Sequence, residues 1–450
     1  MTPTTDTIAA IATPPGIGGI AVIRISGPKS WEVALSLLPS PIPHPPSPWT
    51  VRHAYIYNNN NELVDEALIC FFMSPHSYTG EDVVEISCHG GNISSKRILK
   101  LILSKDVRIA RPGEFTERAF LNNKLDLAQA EAVVGLIHAR SEAAARAALS
   151  QLAGKLSEHI QEMRSKILDL LALLELELDF SEEDVNFQSL ESRKVDLLDL
   201  QTKIEHLLAS FARGRIEREG LRVAIVGAPN AGKSTLLNRI VGDERAIVSP
   251  HPGTTRDVVE AHLELSGHEV IFQDTAGLRD TDHEIENIGI ARTRTVLNRA
   301  DMILLLIDSQ SGDLPGGTML AEIENKKPMI VFNKSDVSRT EYSVPVASHS
   351  GAFHISALTG HGVEGLLAAL TQKFSNESES AGELIITEQR HHDALRRAHE
   401  AVTRAGNLFK EPTLMASDLR DAANALGEIT GQTIGEEVLD RIFSKFCIGK

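Results

Sequence analysis

The eight residues from Gly227 to Ser234, reading GAPNAGKS, constrain this chain more tightly than any other stretch. An apolar run from Arg222 to Val226 leads into them, and a helical pattern from Thr235 to Val241 follows. Strand, glycine-rich loop and helix in that order predict a phosphate-binding loop. The glycines let backbone N–H groups converge on an anion, and the helix N-terminus adds its dipole. In such a loop Lys233 meets the β- and γ-phosphates and the Ser234 hydroxyl ligates Mg2+, while Asn230, Ala231, Gly232 and Thr235 line the same turn.

Three further segments follow in the order such a fold demands. Gly253 to Asp257 comes after the first helix and offers Thr255, whose hydroxyl completes the Mg2+ shell, with Thr254 beside it. Val270 to Gly277 reads as a strand ending in Asp274, Thr275, Ala276 and Gly277; the Asp supports the metal and the Gly N–H reaches the γ-phosphate. Met329 to Asp336 reads as a strand ending in Asn333, Lys334 and Asp336. The Asp336 carboxylate accepts from the N1–H and N2–H2 of guanine, donors that adenine lacks on that edge. Ser356 and Ala357 fit the loop whose backbone N–H donates to guanine O6. The four segments together predict a GTP site rather than an ATP site. Leu278 stands where Ras-type enzymes carry a water-orienting Gln, so an acid between Asp280 and Glu286 is the candidate for that task. Arg256 and Arg279 are either switch residues or finger candidates. The Asn230 amide oxygen suits a monovalent cation beside the phosphates.

At 450 residues the chain is long enough for about three domains. Residues 1–120 read as α+β, with strands expected at Ile20–Ile25, Ala54–Tyr57, Ala67–Phe72 and Val83–Ser87, a helix over Ser94–Ser104, and loops at Pro39–Pro48 and Asn58–Asn61. Residues 121–220 turn to long helices, for which Ile167–Leu174 and Val195–Leu208 carry the apolar spacing. A βαβ alternation fills 221–375, and helical pattern returns over 376–450. Helical stretches on either side predict one helical domain with the α/β unit inserted. No apolar run approaches the roughly 20 residues of a membrane span, and Met1–Ala10 reads as neither a secretory signal nor a transit peptide. Cys70, Cys88 and Cys447 lie too far apart for a disulfide framework or a metal site, so a reducing cytoplasm is expected. A net charge of −16 makes the chain a poor non-specific binder of nucleic acid. Work on RNA would need a local basic patch or a partner that holds the RNA.

Several longer signatures are absent from GTPases in general: Ala12–Gly19, Arg24–Gly27, Ser77–Glu85, Arg111–Glu131 and the terminal Phe446–Lys450. With them the chain resembles the MnmE (TrmE) family of tRNA-modification GTPases over its whole length. The resemblance implies a multidomain fold: an α+β N-terminal folate-binding domain, a helical domain and an inserted α/β P-loop (Ras-like) GTPase domain. It implies a homodimer, K+ held by Asn230 with Ser249, His251 and Thr254 in the surrounding loop, and Glu286 as the water-orienting acid. A 5-formyl- or 5,10-methylene-tetrahydrofolate would meet Arg24, Glu85, Lys124 and Lys450. The flavin protein MnmG would join it in a heterotetramer or larger assembly to modify C5 of the wobble uridine of tRNA. A ribosome-assembly switch of the Era type is the competing reading, since such G domains share the Thr254–Asp257 segment. Cys447 falls near the expected folate pocket, and a neighbouring thiol without a catalytic role is the simpler reading. Gly16–Gly19 precedes a strand, so it is no dinucleotide loop, and Cys88–His89 lacks further ligands for zinc.

Overall fold

The computed structural model describes residues 6–39, 47–179, 190–242, 259–274, 293–337, 352–375, 384–408 and 411–450. The chain divides into two compact units. One comprises Met1–Val134, Ser150–Ile204 and Asp393–Lys450; the other comprises Gly135–Leu149 and Glu205–His392.

The first unit is built on β1 (Ile8–Ile11), β2 (Ile20–Ser26), β3 (Val51–Tyr57), β4 (Leu63–Phe72), β5 (Val83–His89) and β6 (Arg108–Ile109). Their order is β3-β4-β5-β2-β1-β6, antiparallel throughout except for the β1–β6 pair. Four of these strands overlap the expected runs. The other two, β1 and β6, were not anticipated, because an Ile-Ala-Ala-Ile stretch and a two-residue bridge carry little propensity of their own. Side chains alternate between the faces of a strand. Ile23, Ile25, Ile69, Phe71 and Ile86 therefore share one face, buried against Val33, Ala34, Ile98 and Ile102 of helices Ser30–Leu35 and Ser94–Leu103. Arg24 and Glu85, cross-strand partners in β2 and β5, fall on the opposite face. The expected Asn58 turn forms, with the Asn61 N–H donating to the Asn58 carbonyl at 3.0 Å.

The helices of this unit bury stripes rather than whole surfaces. Helix Lys155–Asp179 turns Leu156, Ile160, Met163, Ile167, Leu170 and Leu174 inward, and it packs along helix Pro412–Thr430 through Leu419, Ala423 and Leu426. That spacing of three and four is the one expected of an amphipathic helix. In the part of helix Leu190–Glu219 that belongs to this unit, Leu197, Leu200 and Ile204 are buried, whereas Val195 and Leu198 face solvent.

The second unit carries β7 (Leu221–Gly227), β8 (Val259–Leu265), β9 (His268–Asp274), β10 (Met302–Asp308), β11 (Met329–Asn333) and β12 (Phe353–His354) in the order β12-β11-β10-β7-β9-β8. Only β8 runs antiparallel, as the hairpin partner of β9. Every residue of β10 and β11 is buried, as befits parallel strands covered on both faces. The register brings the C-terminal ends of β7, β9, β10 and β11 to one edge, where Gly227, Asp274, Asp308 and Asn333 lie. Among the described residues, no helix is long and apolar enough to cross a membrane.

One helical glycine shows how tightly the second unit packs. A Cβ added at Gly214 would sit 2.1 Å from the Ile386 carbonyl oxygen and 2.5 Å from Ile385 Cγ2. Alanine gains about 1 kcal/mol of helix propensity over glycine, whereas overpacking costs about 1–3 kcal/mol. Because backbone must move here, the clash outweighs the propensity. Gly214→Ala is expected to lower the melting temperature in calorimetry, and an unchanged or higher value would show that segment Leu384–Thr387 gives way freely.

Candidate nucleotide and folate sites

The turn after β7 is shaped by two residues with left-handed backbone, Asn230 at φ 63° and Gly232 at φ 93°. Gly232 has a second reason to lack a side chain, since its Cβ would lie 2.2 Å from Asn333 Nδ2. The turn delivers the chain into helix Lys233–Val241, whose N-terminus opens at the loop. Lys233 is buried and donates through Nζ to the carbonyls of Gly227 at 3.0 Å and Ala228 at 2.8 Å. Its ammonium is thereby held beneath the loop. The Ser234 hydroxyl donates to Asp274 Oδ2 at 2.8 Å, joining residues 40 positions apart. A hydroxyl and a carboxylate side by side form a hard-oxygen donor set that fits Mg2+.

At the other end of the strand edge, the buried Asn333 side chain makes two bonds. Its Nδ2 donates to the Ala231 carbonyl at 2.8 Å, and its Oδ1 accepts from the Ala357 N–H at 2.9 Å. One amide thus ties the phosphate loop to the 356–357 loop. Ser356 is buried as well; its N–H donates to the His361 carbonyl at 2.9 Å and its Oγ accepts from the Thr359 N–H at 3.1 Å. Lys334, at φ 64°, reaches across to Asp308 Oδ2 at 2.7 Å. Asp336 is exposed at the end of this segment, its carboxylate open to solvent. Two contributors were missed in the sequence. Arg239 caps the 356–357 loop by donating from Nε to the Ala357 carbonyl at 3.2 Å and from Nη2 to the Leu358 carbonyl. Asp308 was legible in principle, because a lone carboxylate ending a wholly apolar strand marks the ligand edge of a parallel sheet. Ser249, His251, Thr254, Thr255, Thr275, Ala276, Gly277 and Glu286 lie outside the described residues.

The first unit brings the folate candidates Arg24, Glu85 and Lys450 together. Arg24 pairs with Glu85 Oε1 at 2.8 Å from both Nε and Nη2, and its Nη1 donates to the Gly449 carbonyl at 3.4 Å. Its guanidinium lies over the Tyr78 ring at 4.9 Å and the Phe115 ring at 5.6 Å from their centroids. Those two aromatics sit inside the signature segments but were not singled out from the sequence. The chain end is docked here by backbone: the Phe115 N–H donates to the Lys450 carbonyl at 3.2 Å. Gly449, at φ 96°, leaves no room for a Cβ, which would sit 2.6 Å from the Ile11 carbonyl oxygen. Burial pushes the Lys450 ammonium below its ordinary pKa, and the Arg24 charge adds to that against Glu85 and Cys447. Lys124 is exposed, with its aliphatic stem across Gly80.

Beneath this surface lies a buried ionic cluster. Arg118 donates to Asp6 Oδ1 at 2.7 Å, Glu81 Oε2 at 3.1 Å and Glu114 Oε1 at 3.2 Å, and Arg108 spans Asp6 and Glu114 from the rim. It knots segment Ser77–Glu85 to segment Arg111–Glu131. Cys88 is buried with its thiol against the Ala21 carbonyl, and His89 pairs with Asp65 at 2.6 Å. No group of three or more His, Cys, Asp or Glu able to hold a metal occurs among the described residues.

Truncating Asn333 strips partners from both the Ala231 carbonyl and the Ala357 N–H. A buried group left unsatisfied costs about 1–3 kcal/mol. Asn333→Ala is therefore expected to lose at least about 1 kcal/mol of stability in urea unfolding and to weaken GDP binding. Parent-like values for both would mean that the bridge is dispensable.

Known proteins resemble this chain over its full length. A family model described as the MnmE helical domain matches residues 127–447, and one described as the GTP-binding protein TrmE N-terminus matches residues 7–124. The tRNA modification GTPase MnmE of Alkaliphilus metalliredigens is 41% identical over 457 residues, 99% of each chain. Its namesake from Moorella thermoacetica is 43% identical over 464 residues, again 99% of each. The protein of the same name from Chlorobium chlorochromatii is 42% identical over 471 residues, 99% of this chain and 98% of its own.

Proposed function

The chain belongs to the MnmE family, and from that premise we propose that it is a K+-activated GTPase that acts with an MnmG-type flavin protein on C5 of the wobble uridine of tRNA, adding an aminomethyl or carboxymethylaminomethyl group with a one-carbon unit from tetrahydrofolate. GTP hydrolysis tied to tRNA modification is the activity of the family. The observation that carries the reading of the nucleotide site is the meeting of Ser234 and Asp274 at the mouth of the phosphate loop, with Lys233 held below it.

In this reading the loop amides and Lys233 grip the phosphates, and Asp336 selects guanine by accepting from its N1–H and N2–H2. Ser234 and Thr255 would hold Mg2+, with Asp274 supporting its shell, and the ion would supply positive charge against the phosphates. Asn230, exposed at the tip of the loop with left-handed backbone, presents its amide oxygen beside the phosphates. Together with Ser249, His251 and Thr254 it would hold K+, which would supply the positive charge that an arginine finger brings to other GTPases. Glu286 orients the attacking water in place of the Gln that Leu278 replaces. In the first unit, Arg24 and Lys450 meet the anionic glutamate tail of the folate, and Glu85 pairs with the donor edge of the pterin. Lys124 completes that set. The first unit also forms the homodimer. A protein of net charge −16 leaves most of the RNA-binding surface to its flavin partner.

Turnover measured in K+ against Na+ tests the ion, and equal rates would remove it from the mechanism. Glu286→Ala is expected to keep nucleotide binding near normal while cutting turnover about tenfold or more. Normal turnover in that variant would take Glu286 out of the reaction. Arg24→Ala is expected to weaken 5-formyl-tetrahydrofolate binding in calorimetry without changing GTP hydrolysis; undiminished folate affinity would contradict the first-unit site. Wobble nucleosides analysed by mass spectrometry from a deletion strain report on the tRNA step itself.

A further inference from the structure

The base end of the nucleotide site contains an ion pair whose negative partner no sequence motif marks. Asp308 closes the all-buried strand β10 and is the register partner of Asn333 in β11. Its two carboxylate oxygens have separate duties. Oδ1 accepts from the Gln310 N–H at 2.9 Å and thereby shapes the turn after β10, while Oδ2 accepts from Lys334 Nζ at 2.7 Å. A backbone bond from the Ser309 N–H to the Asn333 carbonyl at 3.0 Å staples the two strand ends directly beneath. Burial works against ionisation of Asp308, but the hydrogen bonds from Lys334 and the Gln310 N–H outweigh it and hold the carboxyl below its ordinary range. The pair is partly withdrawn from water, with 13% of the Asp308 side chain and 34% of the Lys334 side chain exposed.

We propose that Asp308 is a positioning residue for guanine nucleotide: by anchoring the Lys334 ammonium it holds the lysine stem as an apolar ledge for the face of the base, at a set distance from the Asp336 carboxylate that reads the base edge. A lysine stem has four rotatable bonds and samples many rotamers when untethered. Lys334 also starts from a left-handed backbone, which side chains adopt at a cost. Tethering the ammonium removes that freedom before the nucleotide arrives, so the base meets a preformed surface and less ordering entropy is lost on binding. Asn333 does the same for the loops on either side, and Asp308 extends the arrangement to the Lys334 side chain.

The inference rests on the nucleotide reading above, and a double-mutant cycle separates the two. Fluorescent GDP is titrated into the full chain, Asp308→Asn, Lys334→Met and the double variant. Asn keeps the acceptor for the Gln310 N–H and loses only the charged partner of Lys334. Asp308→Asn is expected to raise the Kd roughly tenfold, the scale of one charge-assisted hydrogen bond, with the loss falling on Kd and KM rather than on kcat. In the Lys334→Met background the same change should add nothing, because Asp308 acts through the lysine. Melting curves followed by circular dichroism keep loss of fold apart from loss of affinity. If Asp308→Asn does not fold, Asp308→Glu, which retains the charge but shifts it by a methylene, carries the same cycle. Full additivity of the two changes, or a parent-like Kd for Asp308→Asn, overturns the proposal. A parent chain that ignores GDP defeats the site reading itself.

Discussion

The Asn333 side-chain amide is the contact on which the nucleotide site depends. A buried amide needs a donor and an acceptor partner, and this one finds them on two different loops, at Ala231 and Ala357. The phosphate end and the base end are therefore spaced by one rigid group, and neither loop can drift without orphaning a buried polar atom. Gly232 is the consequence: its hydrogen stands where a methyl group would strike Asn333 Nδ2.

The same logic of strand ends governs the chemistry. Four parallel strands deliver Gly227, Asp274, Asp308 and Asn333 to one edge, so residues scattered over more than a hundred positions meet in one place. The fully apolar bodies of β10 and β11 fix the register, and their polar last residues are the only ones free to do chemistry. Charge is handled conservatively throughout: Lys233 against carbonyls, Lys334 against Asp308, Ser234 against Asp274.

In the first unit the working face belongs to a sheet whose other face is the core. Period-two alternation in β2 and β5 puts Arg24 and Glu85 opposite Ile23, Ile25 and Ile86. The Arg118 cluster below contributes geometry more than net stability, because desolvating buried ions offsets much of their attraction. What it achieves is to hold Tyr78 and Phe115 in place under the Arg24 guanidinium, and the docked chain end adds Gly449 and Lys450 to the same surface.

The phosphate loop, the base-reading segment and the run of long helices were legible because each is local. A loop that must turn over a phosphate needs glycine at set positions, and an amphipathic helix must repeat every three or four residues. Strands β1, β6 and β8 were not legible, since Ile8–Ile11 and Arg108–Ile109 become strands only when neighbours offer their hydrogen-bonding edges. Nor could residue order reveal that Asn333 is a strut between loops or that Arg239 braces the 356–357 loop. The sequence by itself determined which chemical groups the protein owns and the local turns that present them. Only the tertiary structure decided which of those groups meet, because a hydrogen bond depends on a separation of about three ångströms in space, and chain distance says nothing of that.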